Sequence, residues 1–302
     1  MFQDDMRMLT QGGHRLVYHY TNANGLIGIV NSKQLWATKI QYLDDKSELI
    51  HAFSVAESII HRMKRETNND HVEELLERIP EDFERVEHVN VFVFSFSSVR
   101  DLLSQWRAYC PDGGYALGFD PRVIEKLANR QGFKFVKCVY NEKEQESIVE
   151  RNLKDHLSSF QENLKTAKNG EEKDRLIVDS SRQAVGMLAS VSPIFKHPSF
   201  MEEQEFRLVS ELKASTDKAI NCRNKLNLVI PYYEFASEND EIHFKVEEIM
   251  IGPDLPIQLA MVSVSILFNR NHRRFGSISH TSIPYKKWDQ KSFSQLYVKI
   301  DS

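Results

Sequence analysis

The chain contains 302 residues, of which 39 are Lys or Arg and 43 are Asp or Glu, so its formal net charge at pH 7 is −4. Hydrophobic residues make up 41% and charged residues 27%, which is ordinary for a globular protein. No apolar run approaches the roughly 18 residues that a membrane-spanning helix needs. The charge argues against a protein that coats nucleic acid or binds anionic membranes through overall basicity.

Cysteine usage and the amino terminus favour a protein of the reducing cytoplasm. The three cysteines, Cys110, Cys138 and Cys222, are far apart, and none has a second cysteine or a histidine at zinc-ligand spacing. We therefore expect neither a disulfide framework nor a metal centre. Residues 1–10 carry charges and lack the apolar stretch of a signal peptide, so we expect a cytoplasmic location without a membrane association.

Apolar runs, many of them alternating with polar residues, predict β-strands along the whole chain. The strongest is VNVFVFSFS at 89–97. The other predicted strands are 15–21, 34–38, 115–119, 133–140, 204–212, 226–230, 244–251 and 277–283.

Helical periodicity predicts helices between these strands, most clearly in the stripe formed by Leu49, Ala52, Phe53, Ala56, Ile59, Ile60 and Met63. Further helices are predicted at 71–85, 101–109, from Pro121 onward, at 255–268, and over the charged segment 141–189 with a break at Asn169-Gly170. Strands and helices are mixed without a regular βαβ rhythm. The sequence therefore predicts an α+β fold, a single domain over 1–302 with a mixed or antiparallel central sheet and a helical insertion at 141–190.

Three predicted strands carry pairs of polar residues on one face, because side chains alternate with period two. The pairs are His19 with Thr21, Ser95 with Ser97, and Glu203 with Glu205. Each pair is also what an antiparallel sheet shows to water on a solvated face. The two glutamates repel each other at this spacing, so they need Arg207, solvent or a ligand nearby.

The segment LSQWRAY at 103–109 combines two aromatic residues with a cation. Trp106 and Tyr109 offer flat faces for stacking, and Arg107 offers a forked donor for carboxylate or phosphate. The alternative is that Trp106 is a core anchor and Arg107 a surface residue. The Rossmann fingerprint, the phosphate-binding loop, the nucleophile elbow and the metalloprotease helix are all absent from the sequence.

Short motifs along the chain form an ordered series. They are YHYT at 18–21, LWAT at 35–38, YLDD at 42–45, SFS at 95–97, LSQWRAY at 103–109, GFD at 118–120, FKHP at 195–198, EQEFRL at 203–208, IGP at 251–253 and IPY at 283–285. The series resembles the bacterial family catalogued as domain of unknown function 2971. It departs from that family at Asp44-Asp45, where Asn-Asp is usual, and at Phe206, where Trp is usual.

The series is also similar, more loosely, to the three-part signature of the ADP-ribosyltransferase fold. Enzymes of that fold carry His or Arg on a first strand, Ser or Tyr on a second, and Glu, often as Glu-x-Glu, on a third. This resemblance implies that Glu205, Glu203 and His19 are catalytic, and that NAD is bound by His19, Thr21, Ser95, Ser97, Trp106, Arg107 and Tyr109. A carboxylate that binds the ribose 2′-hydroxyl would stabilise an oxocarbenium-like transition state more than the ground state.

The resemblance therefore implies an enzyme that cleaves the nicotinamide–ribose bond of NAD. ADP-ribose would pass to a protein or nucleic-acid acceptor, or to water in an NAD glycohydrolase, in a toxin-like or phage-defence effector. NAD would be consumed as a substrate, without a metal.

Two alternatives stay open. One is a non-catalytic module that binds a nucleotide or a protein on the same fold. The other is an enzyme acting on nucleic acid, for which the basic clusters at 61–65 and 270–274 would supply phosphate contacts. Homo-oligomerisation is also left open by the sequence.

Overall fold

A computed structural model describes residues 16–43, 47–225, 227–235 and 245–284. Residues 1–10, on which part of the expected location rests, lie outside the described residues. The same is true of Asp44, Asp45 and Tyr285 in the motif series.

The described residues form α-helices and β-strands that alternate irregularly along the chain. The strands are β1 (Val17–Thr21), β2 (Leu35–Lys39), β3 (Phe92–Ser97), β4 (Tyr115–Phe119), β5 (Phe133–Lys137), β6 (Glu205–Ser210), β7 (Ile220–Lys225), β8 (Leu228–Phe235), β9 (Val246–Ile251) and β10 (Phe275–His280). The helices are α1 (Ala23–Ser32), α2 (Ser47–Glu66), α3 (Asp70–Glu81), α4 (Leu103–Tyr109), α5 (Pro121–Gln131), α6 (Glu142–Thr166), α7 (Gly170–Val191) and α8 (Ile257–Arg270).

These elements confirm the predicted α+β class and the helical character of 141–190. The break expected at Asn169-Gly170 is the start of α7, where the Asn169 side chain accepts a hydrogen bond from the Glu172 backbone N–H. The sequence prediction misses β7, because INCRNK has no alternation of apolar residues and its residues are exposed or half-buried. It also places the start of β8 two residues early and the start of β10 two residues late.

The chain folds as two compact units, with boundaries before β2, inside β3, inside α5 and at the end of β8. The first unit contains Leu35–Ser95 and Glu125–Phe235. The described part of the second contains residues 16–34, Phe96–Ile124 and 245–284. The expectation of a single domain over 1–302 stays a prediction.

Antiparallel strand pairs and a group of helices build the first unit. Its strands follow the order β3-β2-β8-β7, and β6 pairs with both β3 and β5. The pairings β2 with β3, β2 with β8, β7 with β8, and β5 with β6 are antiparallel.

The helices of the first unit pack through apolar stripes at helical spacing. The stripe predicted on α2 is buried at Ala52, Ala56, Ile59, Ile60 and Met63, which confirms that prediction. Buried residues of α3, α6 and α7 join the same core, among them Leu75, Leu76, Val149, Leu153, Val185 and Leu188.

The second unit has a mixed sheet in the order β10-β9-β4-β1-β3. Strand β10 runs parallel to β9, while β9 with β4, β4 with β1, and β1 with β3 are antiparallel. Helix α8 buries Ala260, Val264 and Phe268 and exposes Leu259 and Val262 on its other side. None of the described helices in the chain has the length and apolar character needed to cross a bilayer.

Candidate functional site

The two glutamates of the EQEFRL motif lie on either side of a sharp backbone turn. Glu203 ends a 3₁₀ segment, Pro198–Glu203, and Glu205 is the first residue of β6. Gln204 between them has φ 42°, in the left-handed region of backbone conformation that residues other than glycine rarely adopt. The prediction that both glutamates belong to one strand is therefore wrong, because only Glu205 lies in β6.

The turn brings both carboxylates to one ammonium group. The Lys196 Nζ donates to Glu203 Oε2 at 2.5 Å and also to Glu205 Oε2. The Arg207 guanidinium donates to Glu205 from the other side, with Nε 2.6 Å from Oε1 and Nη2 3.0 Å from Oε2. We call these four residues, Lys196, Glu203, Glu205 and Arg207, the ion cluster.

The ion cluster is shielded from solvent. Lys196 is 5% exposed and Glu205 3% exposed, and all six residues of β6 are buried. The Glu205 carboxylate therefore does not belong to a polar face turned to water. Charges at this depth are tolerated only when they are paired and hydrogen-bonded, as they are here.

The pairing fixes the protonation of Glu205 and Lys196. Burial by itself would raise the pKa of Glu205, but the nearby charges of Arg207 and Lys196 lower it to about 2. Burial would lower the pKa of Lys196, but the Glu205 charge and the hydrogen bonds to both carboxylates raise it above its ordinary value. At neutral pH the ammonium and the Glu205 carboxylate are both charged.

Neighbouring groups hold the ion cluster in place. The Tyr140 hydroxyl accepts a hydrogen bond of 2.9 Å from the Glu205 backbone N–H, and burial raises the pKa of this tyrosine. The Gln145 side-chain amide donates to the carbonyl oxygens of Val139 and Lys196 at 2.7 and 3.1 Å. Arg207 Nη1 donates to the Pro193 carbonyl at 2.6 Å.

A short exposed segment lies next to the ion cluster along the chain. His197 begins it, and its side chain accepts a hydrogen bond from the Ser199 backbone N–H at 3.2 Å. The Phe200 ring lies 5.3 Å from the Lys196 Nζ and is exposed, as is Met201. The segment thus places an accessible aromatic ring beside a buried ammonium.

The other residues predicted to bind NAD are distributed over both units. Ser95 lies in the first unit, half-buried in β3. In the second unit, His19 and Thr21 are half-buried in β1, and Ser97 is buried in β3. The β1–β3 pairing sets Tyr18 opposite Ser97, so the ends of these two strands are neighbours. The assignment of these residues to a common NAD site stays a prediction.

Trp106 is enclosed by the core of the second unit. Its ring is 0% exposed and packs edge-on against Tyr20 at 4.7 Å, while its Nε1 donates to Asp101 Oδ1 at 2.7 Å. These contacts are those of a core anchor. Stacking on a cofactor ring would require the side chain to leave them, whereas Arg107 and Tyr109 on the same helix are exposed.

Two groups of polar residues in the second unit are not among the sequence predictions. The Asp101 carboxylate also accepts from the Thr281 hydroxyl at 2.7 Å, which links α4 to the segment after β10. Glu248 accepts from the Tyr18 hydroxyl at 2.9 Å and is bound by Arg100. Their partners are far apart in sequence, so no local pattern identifies them.

Lys196 and Tyr140 are residues of the candidate site that the sequence analysis does not predict. A signal for Lys196 exists, because FKHP at 195–198 is one of the motifs and a pair of glutamates needs a cation nearby. Tyr140 has no such signal, since 65 residues separate it from Glu205.

The ion cluster combines two anions with two cations and has no metal-like ligand set. Within the described ranges, no three His, Cys, Asp or Glu side chains converge as metal ligands. The arrangement can hold a carboxylate ionised at a fixed position.

A comparison with known protein families finds a match over part of the chain. A family model described as "Protein of unknown function (DUF2971)" matches residues 105–208, about a third of the chain, and this stretch includes the whole ion cluster. The similarity to that family is confirmed over these residues. No curated protein and no solved structure shows significant similarity to the chain.

Proposed function

We propose that the protein is an NAD-consuming enzyme of the ADP-ribosyl-transfer type, a transferase or an NAD glycohydrolase, on an ADP-ribosyltransferase-like fold. One observation carries the proposal. Glu203 and Glu205 meet at a single ammonium, and Glu205 is held in the ionised form. A fixed anionic carboxylate is what this chemistry needs, because positive charge develops on the ribose as the glycosidic bond breaks.

The reaction breaks the bond between the ribose carbon and the nicotinamide nitrogen, and the electron pair leaves with nicotinamide. An acceptor then forms a new bond to the ribose carbon and gives up a proton. With water as acceptor, the products are nicotinamide, ADP-ribose and a proton. Glu205 would stabilise the oxocarbenium-like state through the ribose 2′-hydroxyl, and Glu203 would take the acceptor proton.

The ion cluster sets a condition on this mechanism. Both Glu205 oxygens are bound by protein cations and the residue is 3% exposed, so contact with a ribose requires the groups that cover Glu205 to move. A catalytic Glu205 therefore needs a rearrangement when NAD binds.

The remaining roles in the proposal follow the resemblance. His19 and Thr21 would hydrogen-bond the ribose or the carboxamide, and Ser95 and Ser97 would hold the floor of the site. Trp106 or Tyr109 would stack on a ring, and Arg107 would pair with the pyrophosphate. Tyr109 is 41% exposed and fits that role in its present position, whereas Trp106 does not. In this proposal the acceptor of ADP-ribose is a protein or a nucleic acid. The enzyme would act in the cytoplasm as a toxin or a phage-defence effector.

A second candidate is a non-catalytic module that binds a nucleotide or a protein. A specific observation favours it, namely that Lys196 and Arg207 together neutralise Glu205 in the interior. Such a cluster stabilises a buried turn without needing a substrate.

Incubation of the full chain with labelled NAD, with and without cell lysate as acceptor, tests the proposal. We expect nicotinamide release by the wild type and a loss of at least about 100-fold in Glu205→Gln. The matched control is Glu171→Gln, which removes a carboxylate that is 76% exposed in α7 and should leave the rate unchanged.

Calorimetry with NAD and thermal unfolding of each variant complete the experiment. Tight NAD binding without nicotinamide release would favour the second candidate. A wild type that neither consumes nor binds NAD would overturn the proposed enzyme. If Glu205→Gln does not fold, the measurements of NAD consumption and NAD binding by the wild type still test the proposal.

A further inference from the structure

Lys196 links two carboxylates that the chain otherwise separates by a turn. Its ammonium reaches Glu203, seven positions later, and Glu205, nine positions later. The loop 196–205 is thus closed by one buried side chain, with the exposed Phe200 and Met201 between its ends.

The backbone alone does not favour this arrangement. Gln204 is held in the left-handed region, which is unfavourable for a residue with a Cβ atom. A strained conformation persists where surrounding contacts over-determine it. Here the contacts on either side of Gln204 are those of Glu203 and Glu205 with Lys196.

Charge balance also depends on Lys196. With Lys196, two cations face two anions in the ion cluster. Without it, Glu203 and Glu205 would each lose an ion pair with a buried cation, and the lost attraction favours the protonated form of a carboxyl. The Lys196 backbone is itself anchored, because its carbonyl accepts from Gln145 and its N–H donates to the Val139 carbonyl at 3.1 Å.

We infer that Lys196 is the positioning residue of the carboxylate pair, because its ammonium holds Glu203 and Glu205 side by side across the Gln204 turn. The inference rests on the proposed function for its catalytic meaning. The contacts of Lys196 with both glutamates form in the free protein and require no NAD.

The first test is a pH titration of the glutamate carboxyl signals by ¹³C NMR in the full chain. In Lys196→Met, we expect the pKa of one of the two buried glutamates to rise by at least about 1 relative to the wild type. Lys196→Arg should restore the wild-type titration. The control is Lys154→Met, because Lys154 is exposed and pairs with Glu150 on the surface of α6. Unchanged titration of both glutamates in Lys196→Met would overturn the inference.

The second test restores the balance of positive and negative charges in the ion cluster. It remains informative if Lys196→Met does not fold. The double variant Lys196→Met/Glu203→Gln removes one charge of each sign and leaves the Glu205–Arg207 pair. We expect its thermal midpoint to exceed that of Lys196→Met alone. A double variant no more stable than the single one contradicts the inference.

The third measurement is the pH profile of nicotinamide release. We expect Lys196→Met to lower kcat at least about 10-fold with little change in KM, to move the acidic limb to higher pH, and Lys196→Arg to recover most of the rate. If the wild type releases no nicotinamide, the proposed function fails, while the NMR titration and the double variant still decide the role of Lys196.

Discussion

Individual residues in the left-handed region mark where the fold overrides local backbone preference. Gln204 and Lys33 both have positive φ, 42° and 57°. They differ in what surrounds them, because Gln204 lies between the two glutamates of the ion cluster, whereas Lys33 ends helix α1 on the surface. Glycine adopts this conformation without steric cost and is the preferred residue just after a helix.

Position 33 should therefore favour glycine over alanine. We expect Lys33→Gly to be about 0.5–1 kcal/mol more stable than Lys33→Ala, measured by urea unfolding. Both variants lose the lysine side chain, so their difference reports the backbone conformation alone. Equal stability of the two variants would show that position 33 carries no such strain.

At the scale of elements, close packing in the second unit limits residue size. A Cβ built on Gly252 would lie 2.7 Å from the Trp106 ring and 3.0 Å from the Gly114 carbonyl oxygen. The Trp106 ring cannot shift easily, because it is fully buried and its Nε1 is bound to Asp101. Glycine is therefore needed in the IGP motif because a larger residue would collide with the Trp106 ring of helix α4.

Gly252→Ala should destabilise the protein by about 1–3 kcal/mol, because overpacking displaces the tryptophan. Gly170→Ala is the matched control, since a Cβ added to Gly170 at the start of α7 would have nothing within 4 Å of it. We expect that control to be neutral or to gain up to about 1 kcal/mol. Urea unfolding followed by circular dichroism measures both, and an unaffected Gly252→Ala would refute the packing argument.

For the whole molecule, the net charge of −4 hides the charges that matter most. The ion cluster contributes two positive and two negative groups, which cancel in the total. The folded state nevertheless depends on them, because the pKa of Glu205 is about 2 in the folded protein, against 4.5 for an unperturbed glutamate. A carboxyl group whose pKa is lower in the folded than in the unfolded protein stabilises the folded state. This stabilisation is complete at pH values above the unfolded pKa and is lost as the pH falls to the folded pKa.

The free energy of unfolding of the wild type should therefore decrease as the pH is lowered from about 4.5 to about 2. In this range Glu205 binds a proton in the unfolded chain but stays ionised in the folded protein. Glu205→Gln lacks this titration, so its stability should be lower at pH 7 but should change less across the same window. Urea unfolding at a series of pH values compares the slopes. A variant whose stability falls as steeply as that of the wild type would contradict the assignment to Glu205.

The sequence by itself determined most elements of this fold. Period-two and helical patterns are local properties, so strands such as β4 and the stripe on α2 follow directly from them. The motif series also pointed to Glu203, Glu205 and Arg207. It placed both glutamates on one strand, because the positive φ of Gln204 has no sequence signature.

Only the tertiary structure decided what those residues contact. Lys196 joins the pair from a preceding loop, and Tyr140 binds the Glu205 backbone across 65 residues. The tertiary structure also packs the Trp106 ring in the interior, which the sequence leaves open. The physical reason is the same in each case. Burial and ion pairing depend on which distant segments meet, and a pattern of neighbouring residues does not contain that information.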